Sequence, residues 1–163
     1  MAVQRLVLDA ITDDEYELIA IHCSLASYRL AFLLNKHLGL QLFRKEEDVN
    51  FEYDNLVASF PIYQYEDHFK YNTYHLFANQ FRTNIVSQNP ANTGLFETAE
   101  ETYVTKYLIP ELKNVDYFLK IETEATTFLS KPMLSDMLGI SQIVTAYPVE
   151  HKELKSKNNL IFE

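Results

Sequence analysis

Two carboxylates, Glu111 and Asp116, bracket the segment Ile109-Pro110-Glu111-Leu112-Lys113-Asn114-Val115-Asp116-Tyr117. A close pair of this kind can divide general-acid and general-base roles if burial raises the pKa of one member. The same residues also compose a turn. Pro110 has no backbone donor and a fixed φ. Glu111 can pair with a base or accept turn amides, and Asp116 can accept backbone N–H groups around a bend. Tyr117 then packs inward with its hydroxyl satisfied. A set made of Pro, two carboxylates and Tyr fits a turn better than a catalytic centre. Ile109, Pro110, Glu111, Asp116 and Tyr117 are therefore expected to be structural.

Other reactive types are scattered. Cys23 follows His22, and neighbours on a strand point to opposite faces, so the two cannot act as a nucleophile pair there. A small buried Cys at a strand–helix junction is the plainer reading, although a helix N-terminus can lower a thiol pKa. His22, His37, His68, His75 and His151 show no metal-ligand spacing. Gly39, Gly94 and Gly139 stand too far apart for a phosphate-cradling loop, and there is no Ser nucleophile elbow. The sequence thus predicts no catalytic residue, no metal site and no cofactor. Phe60, Tyr63, Tyr65, Tyr71, Tyr74 and Phe77 could stack bases. Lys70 is the one Lys or Arg interleaved with them, which favours core plus a protein-contact surface.

These residues need elements to hold them. Tyr103 to Ile109 is rich in β-branched and aromatic residues and reads as a strand ending at Pro110; a helix is the alternative. Val115 to Ile121 reads as the next strand, with Val115, Tyr117, Leu119 and Ile121 on one face and Asp116, Phe118 and Lys120 on the other. The two are expected to pair as an antiparallel hairpin. Val3 to Leu8 reads as a strand or extended arm, and Glu17 to His22 as a buried strand. A helix is predicted over Leu25–Leu38, capped by Ser24 and ended by Gly39. Its apolar face is expected to be Leu25, Tyr28, Phe32 and Leu33, widened by Leu34 and Leu38, with Arg29 and Lys36 on the wet side. Gln41 to Lys45 reads as extended, and Glu46-Glu47-Asp48 as solvated. Val57 to Tyr65, interrupted at Pro61, and Thr73 to Arg82 form an expected hairpin about a polar turn. Thr83 to Glu101 reads as a long irregular stretch, either functional or merely tolerated. A second helix falls within Ala125–Leu138, kinked by Pro132 or carrying it in the first turn. Gln142 to Val149 is a last strand, and Leu160-Ile161-Phe162 an apolar tail expected to dock.

A shift of 100 residues aligns Leu18-Ile19 with Phe118-Leu119, Tyr28 with Phe128, and Leu38-Gly39-Leu40 with Leu138-Gly139-Ile140. Two β-α-β pseudo-repeats would give this match, as would two unrelated units of the same form. Either way the fold class is α+β: one domain over residues 1–163, a mainly antiparallel sheet of six to eight strands with two helices packed on one face.

The pattern Ile109-Pro110-Glu111, three residues, then Asp116-Tyr117 resembles the signature of the IPExxxDY family of uncharacterised Bacteroidota-type proteins. Ser27-Tyr28-Arg29-Leu30-Ala31 and the tail Leu154 to Phe162 are also similar to family members. The resemblance implies no established activity. Genes of the family neighbour those for ribonuclease III and pyruvate kinase, which implies at most an accessory role in RNA processing.

Composition narrows the function. With 163 residues, 14 Lys and Arg against 23 Asp and Glu, and a net charge of −9, the chain repels phosphates overall. Direct nucleic-acid binding and binding to an anionic membrane are disfavoured. A strip of Lys152, Lys155, Lys157 and Arg29 would argue otherwise. The single Cys fits a reducing compartment, and no signal peptide or membrane span is legible, so the expected place is the cytoplasm. The leading expectation is a non-enzymatic module that binds a protein partner. The alternatives are a small-molecule site between helices and sheet, and the accessory RNA role.

Overall fold

The computed structural model describes residues 16–53, 56–86, 101–124 and 130–162. The elements run β1 (Tyr16–His22), α1 (Ser27–Leu38), β2 (Phe43–Arg44), β3 (Val49–Tyr53), β4 (Leu56–Phe60), β5 (Ile62–Asp67), β6 (Asn72–Ala78), β7 (Gln80–Val86), β8 (Glu101–Tyr107), β9 (Tyr117–Thr123), α2 (Ser130–Leu138) and β10 (Thr145–Val149). Six strands form one antiparallel sheet in the order β10-β1-β9-β6-β5-β2, and β3–β4 and β7–β8 are separate two-stranded ribbons. The expected α+β class is the observed one.

Every strand of the sheet centre is buried on both sides, which is why β1 reads as an unbroken apolar run. Ile19, Ile21, Leu76, Leu119 and Ile121 pack against Leu30, Ala31 and Leu34 of α1 and Met137 of α2. Leu18, Ala20, Phe77 and Phe118 face the other way, onto Phe60, Leu108, Ile109, Leu154 and Leu160. Helices thus cover one face, and the β3–β4 ribbon, the Ile109 turn and the C-terminal segment cover the other. Leu160 is buried and Phe162 packs beside it, so the tail docks as expected, while Ile161 points to solvent.

Several expectations need correction. β8 does not pair with β9: β8 pairs β7, and β9 lies between β1 and β6. The turn at Pro110–Leu112 is a single 3-10 turn that carries the chain from the ribbon into the sheet. Proline's fixed φ starts such a turn readily. Val115 precedes β9 and packs on the side away from the helices, while Tyr117, Leu119 and Ile121 face them. Pro61 divides the expected Val57–Tyr65 strand into β4 and β5, in different sheets. Asn79 likewise divides Thr73–Arg82 into β6 and β7. β3 was not anticipated, β7 runs on to Val86 into the stretch expected to be irregular, and β8 is the strand expected from Tyr103, beginning at Glu101 and ending at Tyr107.

α1 begins at Ser27 with Ala26 at its cap, and Ser24 makes no cap bond. Gly39 ends it at φ 67°, ψ 27°, the left-handed position where a side chain would be strained. Pro132 sits in the first turn of α2. β1-α1-β2 crosses three strands of the sheet and β9-α2-β10 only one, so the two units are not equivalent in the sheet and a duplication is not established. Residues 3–8, 87–100 and 125–129, including Phe128, lie outside the described residues. Among the described residues no helix is long and apolar enough to cross a membrane.

Candidate functional site

The motif residues are drawn to separate parts of the fold. Ile109 is buried, and its N–H donates to Asn79 Oδ1 at 2.8 Å. Glu111 accepts from the backbone N–H of Ser156 at 3.2 Å and from its hydroxyl at 2.5 Å. Those bonds favour the carboxylate and hold the Glu111 pKa below its ordinary value. Asp116 Oδ2 accepts from the backbone N–H of Cys23 at 2.9 Å. The Tyr117 hydroxyl donates to the Leu25 carbonyl at 2.5 Å. Burial pushes the pKa of that hydroxyl to about 12, so it stays a donor at neutral pH. Glu111 therefore engages the tail and Asp116 the β1–α1 junction; their hydrogen bonds do not converge. Cys23 is buried.

Asn79 is the residue that sequence reasoning missed. It is fully buried. Its side-chain amide donates to the carbonyls of Leu112 at 2.8 Å and Val115 at 3.0 Å. Its backbone N–H donates to the Asp116 carbonyl, and its own carbonyl accepts from Leu108 N–H, each at 2.9 Å. One amide thus closes the entire turn from Leu108 to Asp116. The only sequence signal was an Asn interrupting an alternating strand.

A second polar cluster lies beneath the tail. His75 and Lys120 face each other across β6 and β9, and both are buried. Lys120 Nζ donates to the Leu160 carbonyl at 2.8 Å, pairs with Glu122 at 2.5 Å, and lies 4.7 Å from the ring centre of Tyr16. His75 Nδ1 has no hydrogen-bond partner among the described residues. Its pKa is lowered to about 4, first by burial, then by the charges of Lys120 and Lys45 against the opposing pull of Glu122. The ring of Phe162 lies 5.3 Å from that of His75.

The largest departure from expectation lies on α1. Tyr28 and Phe32, expected inside, are 66% and 64% exposed. The helix carries two apolar stripes. Leu30, Ala31 and Leu34 fill the sheet side, and Tyr28 and Phe32, flanked by Leu25 and Leu33, remain outside. Leu25, Tyr28, Arg29, Phe32 and Leu33, with Gln142 from the segment after α2, line an open apolar groove of about 610 Å³. Sequence could have found it by noting more apolar positions on this helix than one face can bury.

Of the aromatic strand residues, Phe60, Tyr63, Tyr74 and Phe77 are core and Tyr71 is exposed. Arg29 lies on the helix side of the sheet, opposite the segment that bears Lys152, Lys155 and Lys157, and the four form no strip. Arg82 stacks over Tyr103 at 4.5 Å and Lys113 over Tyr107 at 5.7 Å on the β7–β8 ribbon. An acidic concavity of about 460 Å³ at the sheet end is lined by Glu66, Asp67, Glu122 and Glu124 among others. No group of three His, Cys, Asp or Glu able to hold a metal exists among the described residues. No family model, curated protein or solved structure matches this chain.

Proposed function

We propose that the protein is a non-enzymatic interaction module that docks a protein partner on the outer stripe of α1, and that the IPExxxDY-type motif is the scaffold that fixes that helix. The observation that carries the reading is the groove around exposed Tyr28 and Phe32. Aromatic side chains held on a rigid helix offer large contact area at little entropic cost, the usual make-up of an interface centre. The motif supports this placement. Asp116 and Tyr117 engage the backbone at Cys23 and Leu25, immediately before α1, and so set where the helix starts. The two carboxylates bond to different segments, which leaves no paired acid and base. The small-molecule reading is weaker, because packed side chains of both layers occupy the space between helices and sheet. The reading agrees with a cytoplasmic protein of the IPExxxDY kind.

The test is a photo-crosslinking residue at position 32 in the protein expressed in its own host. A discrete adduct is expected, and it should vanish when Tyr28→Ser and Arg29→Ser, both at exposed positions, are added, with the circular dichroism unchanged. No adduct at position 32, or one insensitive to the neighbouring substitutions, overturns the reading.

A further inference from the structure

We infer that the occupant of the α1 groove is an amphipathic helix of a different protein whose apolar face is flanked by carboxylates. This rests on the docking reading above and names the partner's chemistry.

Three observations carry it. First, α1 from Ser27 to Leu38 contains no acidic residue, although the chain as a whole carries −9; Arg29 lines the groove, and Lys36 and His37 stand in the last turn. Arg29 makes no ion pair among the described residues. The groove is thus an apolar strip with one cation, Arg29, in its lining and no acid on the helix that bears it, and its complement is apolar with flanking carboxylates.

Second, the groove offers almost nothing to a peptide backbone. Beyond the first turn the backbone groups of α1 within the groove are spent on its own hydrogen bonds. An extended peptide laid there would bury its own N–H and C=O groups unpaired, at substantial cost. A helix satisfies its backbone internally and presents anchors at i, i+3, i+4 and i+7. On α1, Tyr28, Phe32 and Leu33 stand at i, i+4 and i+5 and line the groove against which such a row of anchors can lie.

Third, a second copy of this chain fits poorly. A two-fold contact of α1 on α1 would set the cations Arg29 and Lys36 of one copy against those of the other, with no acid on the helix to pair them. A contact of the groove with some other surface of a second copy would be heterologous, giving a closed ring of copies or an open filament and not a simple two-fold dimer.

The test uses two synthetic helical peptides of about 15 residues, with identical Leu and Phe anchors. One carries Glu on the flanks and the other Lys. Titration of the labelled full-length chain, followed by NMR, is expected to shift Tyr28, Phe32 and Leu33 with the Glu peptide and not with the Lys peptide. Arg29→Glu should weaken the Glu peptide by about five-fold or more and let the Lys peptide bind. Equal binding of both peptides at the groove overturns the charge assignment and leaves docking intact. Binding away from α1, or no binding, overturns the helix assignment. Self-association that is lost in Phe32→Ser assigns the groove to a second copy and overturns the inference. Docking itself is judged separately by the crosslink at position 32.

Discussion

Asn79 bridges strands and turn with a single amide, and its removal has a definite cost. Asn79→Leu keeps the approximate size but takes their hydrogen-bond partner from Ile109 N–H and the Val115 carbonyl, while the Leu112 carbonyl keeps only the Val115 N–H at 3.1 Å. Each unpaired buried group costs about 1–3 kcal/mol, so denaturant unfolding should show a loss of about 3 kcal/mol or more. His75 makes a second prediction, in pH. Its folded pKa is about 4, below the ordinary 6.5. Between those values the unfolded chain takes up a proton that the fold refuses, so stability falls as pH drops from 6.5 towards 4. At 1.36 kcal/mol per unit the total is about 3 kcal/mol. His75→Leu should flatten the stability profile across that window; an unchanged slope would mean that His75 is freely protonated in the fold. The turn at Pro110 was legible, because proline's fixed φ is a local property, but Glu111 and Asp116, expected to accept amides around the bend, bond instead to Ser156 and Cys23. Such partners were not legible. Asn79, Cys23 and Ser156 lie far along the chain from the groups they bind, and no spacing rule connects them.

α1 shows what a helical pattern can and cannot say. Its existence and its glycine stop follow from local rules, since apolar periodicity and Gly39 are properties of neighbouring residues. Its inner face does not. Tyr28-Phe32 and Leu30-Leu34 each satisfy a four-residue spacing, and only the sheet decides which stripe is covered. Its start was also misread: Ser24 lies too early, and the junction is held instead by Asp116 and Tyr117 from β9. Phe32→Ser should leave unfolding free energy within about 0.5 kcal/mol, as an exposed substitution does. Leu34→Ala, which removes a buried side chain, should cost about 2–5 kcal/mol. Differential unfolding of the two variants checks the assignment of the stripes. Comparable losses would place Phe32 in the core and remove the docking surface. For the strands, composition found β1, β6 and β9, which are long and apolar. It joined β4 to β5 because a proline inside a run reads as an edge before it reads as a change of sheet.

The molecule is layered, and one of its layers is partly made of the chain's last residues. Ser156 ties to Glu111, Asn159 Nδ2 donates to the Leu108 carbonyl at 2.8 Å, and Leu160 takes a bond from Lys120. Phe162 lies 4.9 Å from the ring of Phe77. This short segment therefore covers the sheet face opposite the helices and supplies the acceptor that makes a buried lysine tolerable. Ending the chain after Lys155 would remove Leu160, whose full burial contributes about 1.5–3 kcal/mol, and the part-buried Phe162, which contributes less. It would also open Lys120 to water, which offsets part of the lost bond. The expected result is a chain destabilised by about 3–5 kcal/mol that binds a hydrophobic dye through the uncovered Phe77 and Phe118. Because the helix layer lies on the other face, the truncated chain, wherever it remains folded, should still shift Tyr28 and Phe32 with the acidic peptide. Loss of that binding at a temperature where far-ultraviolet circular dichroism reports a native fold would show that the two faces of the sheet are coupled, so that tail and groove act as one device.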